Sequence, residues 1–250
     1  VPFSEAAGIA LAALRANKLR SFLTVLGILI GVSSVVAVVA ITEGLDRYMA
    51  NQVLSLGSRS FSIQRMPDII TSRAVWLEMQ KRKDITLADM EAVKASCDVC
   101  GEVGARVGTT RTVKHGRFKQ PDVEVMGVTE NFSRIGSVRD LIAGRQLIDD
   151  DVDTARSVGV IGADVMDAFF GQTEPIGKTI LVDNHEVKVI GVAERKGKIF
   201  GESQDNFIWL PITTYRKFYG SRRSITIQAE ARSMAQMEDA QDQARVIMRN

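Results

Sequence analysis

The chain has 250 residues, 45% hydrophobic and 25% charged, and its 32 basic and 30 acidic side chains leave a formal net charge of +2. That balance excludes the broad basic field on which nucleic-acid binding depends, and the hydrophobic share suits a globular portion carrying one apolar segment. The only cysteines are Cys97 and Cys100, and the only histidines, His115 and His185, are far apart in sequence, so no second ligand pair completes a zinc site.

Taken from the start, residues 1–20 read as a cytoplasmic amphipathic segment. Phe3, Ala7, Ala10, Leu11 and Leu14 form a helical stripe, and Arg15, Lys18 and Arg20 follow. From Ser21 to Thr42 no Asp, Glu, Lys, Arg or His occurs. A helix of ~20 residues rises ~30 Å, the thickness of the hydrocarbon layer, so residues 21–42 are expected to cross a membrane. Lys and Arg concentrate on the cytoplasmic side, and the bias of Arg15, Lys18 and Arg20 puts the N-terminus inside and the bulk of the chain outside. A cleaved signal peptide is the alternative, with Val38-Val-Ala40 as the cleavage site. Its apolar core is typically ~7–15 residues, shorter than this run. Within the span, Gly27 and Gly31 form a GxxxG pair, which lets helix backbones approach closely. The competing reading is that glycine is simply common in spans.

The helix is expected to continue from Glu43 to Leu56, with Leu45, Met49, Val53 and Leu56 on one stripe, and to stop at Gly57. Phe61 to Gln64 alternates as a strand. Thr86-Leu-Ala-Asp89 is an N-terminal capping pattern for a helix to about Ser96. Residues 103–113 and 122–128 read as strands. Cys97 and Cys100 sit near that helix end, where a redox pair, half a zinc site and a short disulfide are all compatible with the spacing. An external location favours oxidation. Trp76 reads by default as a core residue.

A second group starts near Asn131. It holds a strand over 158–161, a helix from Ala163 to Phe170, a hairpin of 179–182 with 186–192 across Asp183-Asn184-His185, and a strand over 207–210 closed by Pro211. One more strand, 224–229, precedes a helix opened by Ser233-Met-Ala-Gln236 with Met234, Met237, Ala240, Ala244 and Ile247 on one face. The start at Val1-Pro2, and this last apolar face running to Asn250, suggest that the chain is a portion of a longer protein.

Gly171-Gln-Thr-Glu-Pro-Ile-Gly-Lys-Thr179 nearly spells a phosphate-binding loop. It has five residues before Gly-Lys-Thr where the motif needs four, and it runs into a β pattern rather than a helix. A turn set by Pro175 and Gly177 is the simpler reading. Asp149-Asp-Asp151 resembles a metal cluster, but such runs are mostly solvated turns. No nucleophile or carboxylate stands at recognisable spacing from either histidine, so no catalytic, cofactor or metal set is expected.

Leu14-Arg-Ala-Asn-Lys-Leu-Arg-Ser-Phe-Leu-Thr-Val-Leu-Gly-Ile-Leu-Ile-Gly-Val32 resembles the first span of MacB-like, FtsX-type ABC transporter permeases. Gly144-Arg-Gln-Leu147, Val160-Ile-Gly162, Phe170-Gly171, Glu174-Pro-Ile-Gly-Lys-Thr179, Val189-Ile-Gly-Val192 and Asp205-Asn206 with Leu210-Pro-Ile-Thr213 follow in that family's order. The resemblance covers nearly the whole chain. It implies an α+β fold: one transmembrane helix followed by a two-lobed mixed α/β periplasmic domain over 43–250, with a lobe at about 131–211 inserted in the other. It also implies four spans, of which three would follow Asn250. The partners it implies are a second permease chain and an ABC ATPase on a separate chain that binds ATP and Mg, so this chain would be neither an enzyme nor a cofactor holder. A periplasmic adaptor and an outer-membrane channel can join, and ATP hydrolysis drives efflux, lipoprotein extraction or cell-wall regulation by mechanotransmission at the inner membrane. Cys97 and Cys100 fall outside the family pattern.

On that reading Arg15, Lys18 and Arg20 meet lipid headgroups or the ATPase, topology signal and lipid contact being the simpler role. Arg195, Lys196 and Lys198, before Phe200-Gly201, form a basic loop that could contact an adaptor or substrate, with a solvated hairpin as the alternative. A single-span, membrane-anchored binding or adaptor module without transport activity is the competing function.

Overall fold

The computed structural model describes residues 17–55, 59–66, 73–135, 140–171, 173–199 and 201–249. Arg15, the stripe from Phe3 to Leu14, Leu56, Gly57 and Phe200 lie outside them. The chain divides into two units, Val1–Leu54 and Ser55–Asn250.

The first unit carries the helix α1, Lys18–Ser55, whose last residue falls in the second unit, continuous through the segment where an extension was expected. Its stretch Lys18–Leu45 is long and apolar enough to cross a membrane. Thr24, Ser34 and Thr42 donate their hydroxyl protons to the carbonyls of Arg20, Gly31 and Val38. Polar groups satisfied within their own helix suit a medium that offers no water.

The second unit is built on one long sheet. Its strands are β1 (Ser60–Ile63), β2 (Cys100–His115), β3 (Phe118–Val128), β4 (Leu141–Gly144), β5 (Val158–Ile161), β6 (Thr179–Val182), β7 (His185–Ala193), β10 (Phe207–Pro211) and β11 (Thr226–Ala231), while β8 (Lys198–Ile199) and β9 (Glu202–Ser203) form a separate hairpin. The spatial order is β1-β11-β2-β3-β10-β5-β7-β4, with β6 bridging β2 and β7. All pairings are antiparallel except β3 with β10 and β5 with β7. The helices are α2 (Arg73–Gln80), α3 (Leu87–Ser96), α4 (Asp149–Asp153), α5 (Ala163–Phe169), α6 (Ile212–Tyr219) and α7 (Met237–Ile247).

Strand alternation sorts the core into two layers. Val123, Val125, Ile161, Ile208 and Leu210 join the larger cluster, to which α3 adds Met90 and Val93 and α7 adds Ala240 and Ala244. Met126, Val128, Val160, Phe207 and Trp209 face the other way, with Leu147 and Ala193. Central strands are therefore buried on both faces, which is why β10 reads as a continuous apolar run.

Thr86 caps α3 as its sequence predicts: its side chain accepts from the Asp89 N–H, and the Asp89 carboxylate accepts from the Thr86 N–H. The box expected at Ser233 does not form. Met234–Gln236 is a 3-10 turn, Ser233 Oγ donates to Gln236 Oε1 instead, and Met234 is exposed. Trp76 is also a correction, at 38% exposed on α2. The hairpin β6–β7 turns on Asp183 and Asn184, both at positive φ, as such two-residue turns require. Where the first group of strands gives way to the second, buried Asn131 donates to the Glu102 carboxylate and the Val103 carbonyl and accepts from the Thr129 hydroxyl. This satisfied network fixes the exit from β3.

Candidate functional site

Lys18 and Arg20 occupy the first turn of α1 and are exposed. Gly27 and Gly31 lie one helical turn apart, and a Cβ placed on either would meet nothing within 4 Å. Their surface is open. The flanking Ile28, Ile30 and Val32 are each about three-fifths exposed.

The basic loop is held more tightly than its composition suggests. Asp205, fully buried, accepts the N–H of Lys196 at 2.9 and 3.1 Å and that of Gly197 at 2.7 Å. Gly197 sits at φ +86°, where a side chain would be strained. Arg195 donates to Asp164 at 2.9 Å and also to Asp167, both from the start of α5 or its middle turn. The Asp164 hydrogen bond, above all, raises the Arg195 pKa over its ordinary value, so the guanidinium stays charged and tied to α5. Lys198, exposed on β8, points its charge outward from a hairpin rather than from a free loop. Nothing local in the sequence pairs Arg195 with Asp164; the sheet brings them together.

The motif residues that carried the resemblance meet in a structural clamp. Gly144 takes φ +80°, and a Cβ there would stand 2.1 Å from the Ile190 carbonyl oxygen. The backbone of β4 can approach β7 this closely only without side chains, and Gly191 answers it from the other strand. The next residue, Arg145, donates to both carboxylate oxygens of Asp151, at 2.6 and 3.0 Å. Asp151 is fully buried and also accepts the Ile148 N–H at the start of α4. The Arg145 hydrogen bond foremost holds its carboxyl below the usual carboxylate range, against the opposing effect of burial. Within the acidic run Asp149 and Asp150 are exposed, Asp150 pairing with Arg156, and only Asp151 departs from a solvated run by closing a buried ion pair. Among the described residues no group of three or more His, Cys, Asp or Glu is placed to hold a metal ion.

The near P-loop resolves as a turn. Lys178 leads directly into β6, and Gly171 and Gly177 have positive φ; Gln172 lies outside the described residues. His115 hydrogen-bonds the Thr179 carbonyl, and His185 stacks on Phe218 at 4.1 Å. Cys97 and Cys100, both buried, form a disulfide with a Cα separation of 5.3 Å that ties the end of α3 to the start of β2. Among the sequence alternatives, the short disulfide is the one the structure contains.

Residues 21–247 match the family described as MacB-like periplasmic core domain. The chain belongs to this family. The macrolide export ATP-binding/permease protein MacB of Shewanella sp. (strain W3-18-1) is 34% identical over 212 residues, covering 85% of this chain and 32% of that protein. The protein of the same description from Burkholderia cenocepacia (strain HI2424) is 34% identical over 233 residues, covering 90% and 33%. The chain spans about a third of the length of the curated relatives it matches. In fold it resembles the periplasmic region of MacB from Actinobacillus actinomycetemcomitans, with a TM-score of 0.62 and 18% identity over 78% of this chain and 86% of that one. It also resembles the extracellular domain of the noncanonic ABC-type transporter YknZ from Gram-positive bacteria, with a TM-score of 0.61 and 19% identity over 75% and 92%. The MacB-like core thus accounts for the mixed α/β sheet, and one apolar helix precedes it.

Proposed function

We propose that residues 1–250 are the first span and outer domain of an ABC transporter permease that works by mechanotransmission. The observation that carries this reading is the MacB-like family match together with the continuity of α1. A helix of 38 residues measures ~57 Å at 1.5 Å per residue, well beyond the ~30 Å needed to cross the hydrocarbon. A rod of that length can pass movement from the membrane to the domain. ATP and Mg are bound, and the ATP hydrolysed, by a partner ATPase outside residues 1–250. Gly27 and Gly31 seat α1 against another helix of a paired permease. Arg15, Lys18 and Arg20 hold the N-terminus on the cytoplasmic face of the inner membrane, and Lys198 heads the hairpin offered to a periplasmic adaptor. Residues 131–211 form an inserted lobe.

The test is a Gly-Ser insertion between Met49 and Ala50 in the full-length protein with its ATPase. Each glycine costs helix stability of only about 1 kcal/mol, too little to unfold the outer domain. Hydrolysis is expected to continue while substrate movement falls away. Unimpaired transport in a folded insertion variant would make α1 a tether and favour the anchored adaptor module. A cysteine at position 183 should be labelled from outside intact cells and one at position 4 should not.

A further inference from the structure

The face of the sheet that carries Met126 and Val128 in the middle becomes polar toward β1. Register places Thr226 opposite Arg106 and Gln228 opposite Gly104 on that face, with Ser62 beyond them. A cleft of about 570 Å³ opens here, lined by Arg65, Arg106, Arg222, Arg223, Asp84 and Ser224, among others. Gly108, two residues along β2 from Arg106, keeps its floor low. Four arginines thus line it from three separate stretches of chain, Arg65 already donating to the Asp84 carboxylate and to the Gln80 carbonyl. The carboxylates near them are Asp84, bonded to Arg65 at 2.5 Å, and Glu124, whose Oε1 approaches Gly108 from β3. Arg223 also interacts with Tyr215. Arg106 and Arg222 have no ion pair among the described residues. The Nε atoms of Arg65 and Arg106 are buried without a hydrogen-bond partner, a condition that buried donors rarely keep.

We propose that this cleft is a binding site for a phosphate-bearing anion. Planar guanidinium forks match phosphoryl oxygens two at a time and tolerate desolvation better than ammonium groups. The guanidiniums of Arg106 and Arg222, which line the cleft without an ion pair among the described residues, are the ones a phosphoryl oxygen would meet, with the exposed Arg222 at the rim. The one carboxylate lining the cleft, Asp84, is bonded to Arg65, and among the described residues no metal-ligand set is present, so the site is proposed as a binding site. The phosphoryl group comes either from a free phosphorylated compound or from a lipid headgroup, and the chemistry of recognition is shared.

The full chain in a non-ionic detergent is titrated calorimetrically with inorganic pyrophosphate. Saturable binding is expected, weakening as salt rises from about 50 to about 200 mM. Arg106→Gln is expected to lower affinity about tenfold or more and Arg222→Gln about threefold, the scale of losing charged hydrogen bonds at a half-buried and at a rim position. Near-UV circular dichroism checks folding. Should Arg106→Gln misfold, Arg222→Glu, on an exposed residue, is expected to abolish binding on its own. Absence of saturable binding to the wild type, or equal affinity in the folded variants, overturns the proposal. Competition by dihexanoyl phosphatidylglycerol and by glycerol phosphate separates the sources: a large advantage for the lipid assigns a headgroup, and parity assigns a free anion.

Discussion

In α1, Ile28 keeps 63% of its surface exposed, whereas Ile208 on β10 keeps none, and the two side chains are chemically identical. In α1 every backbone bond closes within the helix, and the apolar surface faces outward for lipid to cover. In the sheet, backbone bonds run between strands distant in sequence, and apolar side chains turn away from water. The sheet domain therefore has a core in which a missing methyl leaves a cavity, and α1 by itself does not. Each of the following experiments asks whether that distinction holds.

Ile208→Ala should produce the largest effect, destabilising the sheet domain by about 3 kcal/mol through lost burial plus a cavity, read by denaturant unfolding followed by tryptophan fluorescence. An effect under about 1 kcal/mol would mean that the two layers beside β10 collapse around the gap.

Arg145→Ala should cost about 2 kcal/mol near neutral pH, because it strands a buried carboxylate whose remaining cation, Arg156, is 3.5 Å away and half exposed. Asp151 is held below the usual carboxylate range in the folded protein. Its contribution is therefore present above the unfolded value, near pH ~4, and is lost as pH falls through the folded one. The gap between wild type and variant should narrow on acidification. A gap that stays constant to low pH would assign the loss to packing of the Arg145 stem.

Replacing Cys97 and Cys100 together by alanine should cost about 2 kcal/mol, at the low end for a disulfide because the loop they close is short, with equal stability of the two forms under reducing conditions except for the small change in packing. Ile28→Ala should shift the unfolding of the sheet domain by less than about 0.5 kcal/mol. A larger shift would show that the two units are thermodynamically coupled, which would sharpen the transmission reading.

Features settled by near neighbours were legible in the chain itself. An uncharged run needs no tertiary partner to be a membrane-length helix, the Thr86–Asp89 cap closes within one turn, and Asp183-Asn184 turns a hairpin between two alternating strands. The order of motifs also disclosed the family. Other features depended on contacts far along the chain. Helix α6 is only eight residues, Ile212–Tyr219, too short to stand on propensity, and it forms because Tyr215 packs where Gly127 on β3 leaves room. Strand β4 exists through its pairing with β7. Asp151 looked solvated until Arg145 was brought over it, and Arg195 looked free until α5 was set beside its loop. The cleft draws on residues 65, 106, 222 and 223, which no window of sequence contains. Local hydrogen bonds and hydrophobic spacing act over a few residues, so the sequence alone determined the span, the Thr86 cap and the hairpin turn, but not the start of the last helix, where the box expected at Ser233 does not form. Charge pairing and cleft formation act through space, and only the tertiary structure decided which distant side chains would meet.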